Sequence, residues 1–359
     1  ESPLGGFSIS LRLIILGNPN IYLIYNLLNL SYKGEVKVLF MRIKVKEVEQ
    51  LVESILKKRG VENPQIIAEH FVEAELRGHS SHGLQRVIPL VKGIDLGTIR
   101  RSVKMTEVIR EDNAVLYDAN HSIGILVWHY LTENPRESLI AVRNSSHIGF
   151  LGYYTRRVAT RLRRPAIMIG NAEPAVVKPG TANKVLSTTP ISIAIPCETT
   201  VVLDMALSPI ARGKIIEAKR RGEKIPYGVA VNRRGEITTD PEEALQGGLL
   251  PLGGEKGFFL MMTLELLVSF LTGSAIATEV QGVLDTTKSP NKGEFLIILP
   301  RLASDCHGIS TLKRFVDLLP GEHSDKLLQR DEIEVDEKLY EMLVKLEEQV
   351  PFDWAKSGL

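Results

Sequence analysis

From Val45 onward, apolar residues recur at helical spacing. Val45, Val48, Leu51, Val52, Ile55 and Leu56 share one face, charged residues fill the gaps, and Gly60 stands where a helix stops. The pattern sets in at Met41, so the spacing predicts one helix over "MRIKVKEVEQLVESILKKRG". Pro64 opens a second helix, "NPQIIAEHFVEAELRG", with Ile67, Phe71 and Ala74 inward and Gly78 as its stop. A third, "GLQRVIPLVKGIDLG", is short or kinked at Pro89. Farther on, "AVLYDAN", "SLIAVRN", "PAIMIGN", "ISIAIP" and "TVVLDMA" predict strands, most of them ending in Asn, Asp or Pro. Helices are expected over "GFLGYYTRRVATRLRR" and "PIARGKIIEAKRRG". A Gly-rich loop then leads into "FLMMTLELLVSFLTGSAI", apolar nearly all round and therefore a buried core helix or a subunit contact. The tail from Ser324 to Val350 reads as a charged strand and helix with a solvated face. No internal repeat interrupts the alternation of helices and strands.

Composition narrows the class without changing this picture. The 359 residues are 44% apolar and 24% charged, ordinary for a globular chain with room for two cores. With 44 basic against 43 acidic residues the formal charge is +1, which offers no footprint for nucleic acid. Cys197 and Cys306 stand far apart with no C-x-x-C spacing, so two unpaired thiols in a reducing compartment, the cytoplasm, are expected. Residues 1–40 differ from the rest. Arg12 and "GNPN" break their apolar run before it is long enough for a membrane span, and no secretory signal pattern is present. They are expected to be an extension ahead of a start at Met41. Arg-rich and Lys-Glu segments fit a heat-adapted chain.

The chemistry concentrates in "GHSSHGLQR", residues 78–86, which begins at a helix end. No G-x-G-x-x-G or Walker loop is present, so a standard Rossmann domain is not expected. The serines do not sit on a G-x-S-x-G elbow, and no H-E-x-x-H pattern supports a metal, so none is expected. A guanidinium at Arg86 can grip a carboxylate while an imidazole at His82 handles a neighbouring hydroxyl. His147, in "RNSSHIGFLGYY", follows a predicted strand end; His79 and Ser80 read as loop residues.

"RGHSSHGLQR", "AVRNSSHIGFLGYY", "NAEPAVVKPG", "VLDMALSPIARGKI", "TTDPEEALQGGLLPLGGEKGFF" and "LLPGE" occur in the order seen in the second type of malate/L-lactate dehydrogenase family. The chain resembles that family from about Met41 onward. The resemblance implies an α/β, non-Rossmann, mixed-sheet dehydrogenase fold. It implies a helical substrate and dimerisation domain from 41–115 and 285–359, a cofactor domain over 116–284, and a homodimer or larger assembly. It implies NAD or NADP as cofactor and a small 2-hydroxy or 2-oxo acid as substrate, with no nucleic acid or membrane partner. Ser81, His82, Arg86 and His147 are the implied catalytic set, with His147 the leading proton acceptor. His147, Gly149, Leu151, Asn171, Ala172, Thr188, Pro190, Asp204, Met205, Ala206 and Lys256 are implied at the cofactor.

The implied reaction moves a hydride between C2 of a malate- or lactate-like acid and nicotinamide. A histidine exchanges the proton, its ordinary pKa near about 6.5 suiting either direction. Two alternatives go with the same residues: a cyclic-imine carboxylate reductase, and a cofactor-binding relative without turnover. The second draws on departures from the family pattern: "STTP" at 187–190, "KPGT" at 178–181, Leu90, and a segment from Gly124 to Leu139 about two turns short, in which Pro135 breaks the remaining helix.

Overall fold

Alternation, not helical spacing, governs the first residues of the computed structural model, which describes residues 40–303, 306 and 308–357. Phe40–Lys44 is a strand, β1, with Met41 and Ile43 turned inward and Arg42 and Lys44 exposed. It pairs antiparallel with residues 332–336, and Arg42 meets Glu334 across the ladder. The helix expected from Met41 therefore starts at Val45: α1 (Val45–Lys57) is followed by α2 (Pro64–Leu76), 3-10 turns at Ser80–His82 and Leu84–Arg86, and α3 (Val87–Leu96). What was expected of residues 1–39 lies outside the described residues.

The strands that follow are β2 (Thr106–Glu111), β3 (Ala114–Asp118), β4 (Leu139–Arg143) and β5 (Ala166–Gly170), with α4 (Gly124–Glu133) and α5 (Leu151–Leu162) between them. Two short strands, β6 (Val176–Val177) and β7 (Lys184–Leu186), precede the hairpin of β8 (Ile191–Pro196) and β9 (Thr200–Met205). Next come α6 (Arg212–Arg221), β10 (Ala230–Val231), α7 (Pro241–Gln246), β11 (Gly248–Leu249), α8 (Gly254–Thr272) and β12 (Gly293–Ile298). The chain closes with α9 (Gly308–Leu312), α10 (Glu322–Leu327), β13 (Glu332–Asp336) and α11 (Glu337–Glu348).

Seven strands form one mixed sheet in the order β2-β3-β4-β12-β5-β8-β9. Only β3 and β4 run parallel; every other pair is antiparallel. This is an α/β fold without the parallel doubly wound sheet, as expected. The sheet draws strands from both sides of residues 115/116 and 284/285, since β12 lies between β4 and β5. Helices α4 and α5 cover one face, α5 lying on β5, β8 and β9, while α8 lies across β4, β5 and β12 on the other. A smaller sheet, β10-β11-β6-β7, packs beside α6 and α7.

A separate helical core surrounds α1, α2 and α3. Val52, Ile55 and Leu56 meet Ile67 and Phe71, Val87 and Val91, and are closed off by Ile333, Val335, Leu343 and Leu346. Each aliphatic side chain fully removed from water there contributes about 1.5–3 kcal/mol.

Two expectations are corrected. Cys197 and Cys306 are not separate thiols: they form a disulfide with Cα atoms 5.3 Å apart, because the β8–β9 turn lies against the segment after β12. A spacing of 109 residues carries no sign of that proximity. Pro135 also breaks no helix. The helix ends at Glu133, before the proline, and α4 is continuous up to it, with Trp128 and Ile125 buried.

Candidate active site

Between the helical core and the large sheet lies a cleft of about 410 Å³. Three chain segments build its chemistry.

The first is the 78–86 loop. Helix α2 ends at Leu76, Gly78 takes a left-handed turn, and the His79 amide closes back on Ala74 O at 2.8 Å. The two 3-10 turns then put Ser81, His82 and Arg86 on the cleft wall. Ser81 Oγ lies 2.8 Å from His82 Nδ1, and Arg86 Nε donates to Ser81 O at 2.8 Å. That leaves the terminal guanidinium nitrogens of Arg86 without a partner among the described residues.

The second segment runs from the end of β4 into α5. Ser146 Oγ accepts from Gly124 N at 3.0 Å, which fixes the loop, and Tyr154 OH donates to Ile148 O at 2.6 Å. His147 Nδ1 accepts from Gly149 N at 3.1 Å, so the neutral ring carries its hydrogen on Nε2. Gly149 has φ +76, and an added Cβ would sit 1.6 Å from His70 Nε2, so only glycine fits this turn. The His82 and His147 rings stack with centroids 5.5 Å apart.

The third set comprises the ends of β5 and β9 and the start of α6. Asn171 commits its amide to the scaffold, accepting from Gly293 N at 2.8 Å and donating to Ala275 O at 2.9 Å. Asp204 Oδ2 accepts from Gly152 N at 2.7 Å at the first turn of α5, while its Oδ1 has no partner among the described residues. The "STTP" loop is held from below by buried Glu265 of α8, which accepts from Ser187 N at 2.7 Å, so Thr188 and Pro190 line the cleft on a fixed backbone.

Burial sets the charge states. It pulls His82 down to about 3, with the charges of Arg86 and His79 adding to the effect. It also holds His147 well below its ordinary value, with Arg86, His82 and Lys292 contributing. Both imidazoles are neutral at pH 7. Burial and the neighbouring charge of Arg212 push Arg86 down to about 10. Asp204 is raised to about 6 by burial.

Of the residues singled out in the sequence, the cleft gathers Ser81, His82, Arg86, His147, Gly149, Leu151, Asn171, Ala172, Thr188, Pro190, Asp204, Met205 and Ala206. His79 lines it too, stacked on Phe150. Lys256 does not. Leu252 reaches the lining, but the left-handed pair Gly253–Gly254 then turns α8 away and leaves Lys256 exposed. Four charged residues were missed: Glu173, Arg212, Lys214 and Lys292. Glu173 Oε1 gathers the amides of Val283, Leu284 and Asp285 and so shapes the rim. Arg212 has no protein partner among the described residues. Lys292 is buried, in close ion pair with Glu294 and 3.1 Å from Ser145 Oγ. Among the described residues no group of three or more His, Cys, Asp or Glu side chains is set to hold a metal ion.

Neutral imidazoles beside arginines unpaired among the described residues, in a cleft with an apolar wall of Ile148, Leu151, Pro190 and Met205, are groups able to bind an anion and move a proton. The comparisons with known proteins give the class a family. The malate/L-lactate dehydrogenase family model matches residues 43–303, and the chain belongs to that family. The malate/(S)-sulfolactate dehydrogenase of Methanothermus fervidus is 35% identical over 336 residues, 86% of this chain and 98% of its own. Among solved structures, a dehydrogenase from Sinorhizobium meliloti superposes with TM-score 0.80 at 31% identity, covering 86% of this chain and 98% of that one. The sulfolactate dehydrogenase of Methanocaldococcus jannaschii gives 0.74 at 32%, covering 85% and 96%. The protein is therefore an oxidoreductase of the non-Rossmann dehydrogenase type.

Proposed function

We propose that the protein interconverts a 2-hydroxy acid and its 2-oxo acid, with a nicotinamide as redox partner, and that its substrate carries a second anionic group, as malate and sulfolactate do. The observation that carries this reading is the pair Arg86 and Arg212. Both line one cleft, the charge of Arg212 adds to the lowering of Arg86, and both have guanidinium nitrogens free for a ligand among the described residues. One guanidinium suits the C1 carboxylate; the second has work only if the substrate's far end is charged.

The cleft lining fits the cofactor. Its apolar wall accepts a flat ring, and Asp204 Oδ1 is an acceptor still open for a hydroxyl. Asp204, Met205, Ala206, Thr188, Pro190, Leu151 and Gly149 would hold it; NAD and NADP both remain within the reading. A second cavity of about 320 Å³ shares His79, Phe150 and Asp204 with the cleft and gives a dinucleotide its length. When bound, the nicotinamide supplies or takes up the hydride at C2.

The chain's own groups do the rest. Arg86 grips the C1 carboxylate. His147, its hydrogen fixed on Nε2 by the Gly149 amide, donates to the oxygen on C2 and orients it. His82 shares a hydrogen with Ser81 Oγ and is free to hold either tautomer, so it takes the hydroxyl proton in oxidation and returns it in reduction. This moves the proton-transfer role from His147, favoured by the resemblance, to His82. The protein acts as a homodimer through the exposed face of α8, and draws on the nicotinamide pool of the cytoplasm; a disulfide there is at home in a heat-adapted source.

The test follows absorbance at the reduced-nicotinamide band, with NADH or NADPH offered in turn with oxaloacetate, sulfopyruvate, pyruvate and a cyclic imine carboxylate. Oxaloacetate or sulfopyruvate is expected to outrun pyruvate. Arg212→Ala lowers kcat/KM for the doubly charged substrate on the order of 100-fold while pyruvate changes little. Equal losses on both substrates would refute the second anion site.

A further inference from the structure

Beneath the loop that carries Ser81, His82 and Arg86 lies a carboxyl group that the reaction does not touch. We propose that Glu75 is the positioning residue of this loop: its side chain clamps the Gly83–Leu84 backbone and so sets where His82 and Arg86 stand. The inference rests on the dehydrogenase reading and deepens it by naming a control on substrate affinity.

Three observations carry it. Glu75 stands on the last turn of α2, and its Oε1 accepts from Leu84 N at 2.8 Å, midway between His82 and Arg86. Gly83 is packed against the same carboxyl: a Cβ added there would lie 2.4 Å from Oε1, 2.7 Å from Cδ and 2.8 Å from Cγ. The rest of the loop is tied to itself and to α6, with Gln85 Nε2 donating to Ser80 O at 2.7 Å and Ser80 Oγ donating to Glu217 at 3.1 Å. The Glu75 bond is thus the tie between the middle of the loop and α2. Glu75 itself lies outside the cleft lining, beside a cavity of about 90 Å³.

The clamp also titrates. Burial raises Glu75 to about 7 against the Leu84 amide; Glu217 of α6 adds to the rise, and Arg220 and Lys214 of the same helix oppose it. Arg221 of α6 and Glu334 and Asp336 of β13 complete the charged lining of the small cavity. As the pH falls through about 7, Glu75 takes up a proton and the amide loses a charge-assisted bond for a weaker neutral one. The loop loosens and KM for the oxo acid rises, while the cofactor wall, built from other segments, does not move.

The experiment measures kcat and KM for the oxo acid the wild type turns over, between about pH 5.5 and 8.5, with the reduced-cofactor Kd from nicotinamide fluorescence. Glu75→Ala is expected to raise KM about tenfold, to move kcat less than about threefold, and to leave the cofactor Kd in place. Glu75→Gln keeps only a neutral acceptor, so its KM sits at the raised value of the wild type below about pH 7, short of the Glu75→Ala loss, and no longer depends on pH there. Gly83→Ala raises KM in the wild type, yet adds nothing in the Glu75→Ala background, because the clash partner is gone. A KM within about twofold of wild type in Glu75→Ala, a surviving pH arm in Glu75→Gln, or additive effects of the two changes would each overturn the proposal. If Glu75→Ala does not fold, Glu75→Gln and Gly83→Ala decide alone. A wild type that turns over no oxo acid refutes the dehydrogenase reading instead. Amide exchange at Leu84 then tests the clamp, expected faster in Gly83→Ala and overturning the clamp if unchanged.

Discussion

The two cleft histidines differ in what their neighbours permit. Gly149 N–H fixes one tautomer of His147, whereas Ser81 Oγ can donate to or accept from His82. His82→Gln should therefore lose turnover by roughly 10²–10⁴-fold with a modest change in KM, and His147→Gln should act mainly on KM, since an amide N–H still orients the substrate oxygen. Steady-state kinetics on the two variants separates the roles. A third imidazole, His70, is wholly buried among Phe71, Phe150, Tyr153 and Tyr154 and is depressed to about 3. The unfolded chain protonates these groups near about pH 6.5, so the stability they confer is whole above that value and is lost as the pH falls toward about 3. Asp204 and Glu75, raised to about 6 and about 7, work in the opposite sense: they favour the fold at low pH and lose that contribution as the pH rises through those values. The melting temperature should fall from about pH 7 to about pH 5, and His70→Gln should flatten the fall; thermal melts across that range check both. At this scale the sequence was informative where motif residues cluster. Ser81, His82 and Arg86 are legible within nine residues. Arg212 and Lys292 are not, because each is a single cation beside an ordinary helix start or strand start, and only the fold brings it to the cleft.

Among elements, the legible ones were those with a clean period. Helices α1, α2 and α5 and strands β3, β4, β5, β8 and β9 lie where their apolar spacing places them. The short alternation of Met41 and Ile43 merged with the helical pattern after it and hid β1. Strand β2 is exposed throughout and carries no inward face to betray it. Strand β12 is buried nearly all along, and a continuous apolar run of that kind does not separate strand from helix by period alone. Helix α8 presented two readings, core or subunit contact, and its buried face accounts for the first. Met261, Glu265, Val268 and Thr272 are buried against the sheet side, while Phe259, Leu260, Leu266 and Phe270 stand exposed on the other, Phe270 at 86%. A face of that kind is the surface through which the proposed homodimer would form. Replacing Leu266 and Phe270 by Glu should convert a dimer to monomers in sedimentation while leaving the fold intact by circular dichroism.

At the scale of the whole molecule, the active cleft belongs to neither core by itself. Its loop from α2 comes out of the helical core, its strand ends come from the large sheet, and α6 closes the rim beside the small sheet. The fold class was legible because the missing glycine fingerprint argues against a standard Rossmann domain and the family resemblance implies a mixed sheet. The cross-connections were not, since a disulfide over 109 residues and a strand pair joining residues 40–44 to 332–336 depend on distance in space, which local pattern does not encode. That last pairing has a consequence for the order of assembly during synthesis. The helices that carry Ser81, His82 and Arg86 are made first, yet their core is sealed by Ile333, Val335, Leu343 and Leu346. A nascent chain must hold those early helices unsealed, their greasy faces open to chaperones, until the ribosome has delivered nearly everything else. The large sheet, whose strands span 106–298, can close before then, so the catalytic loop is translated early and locked into place late.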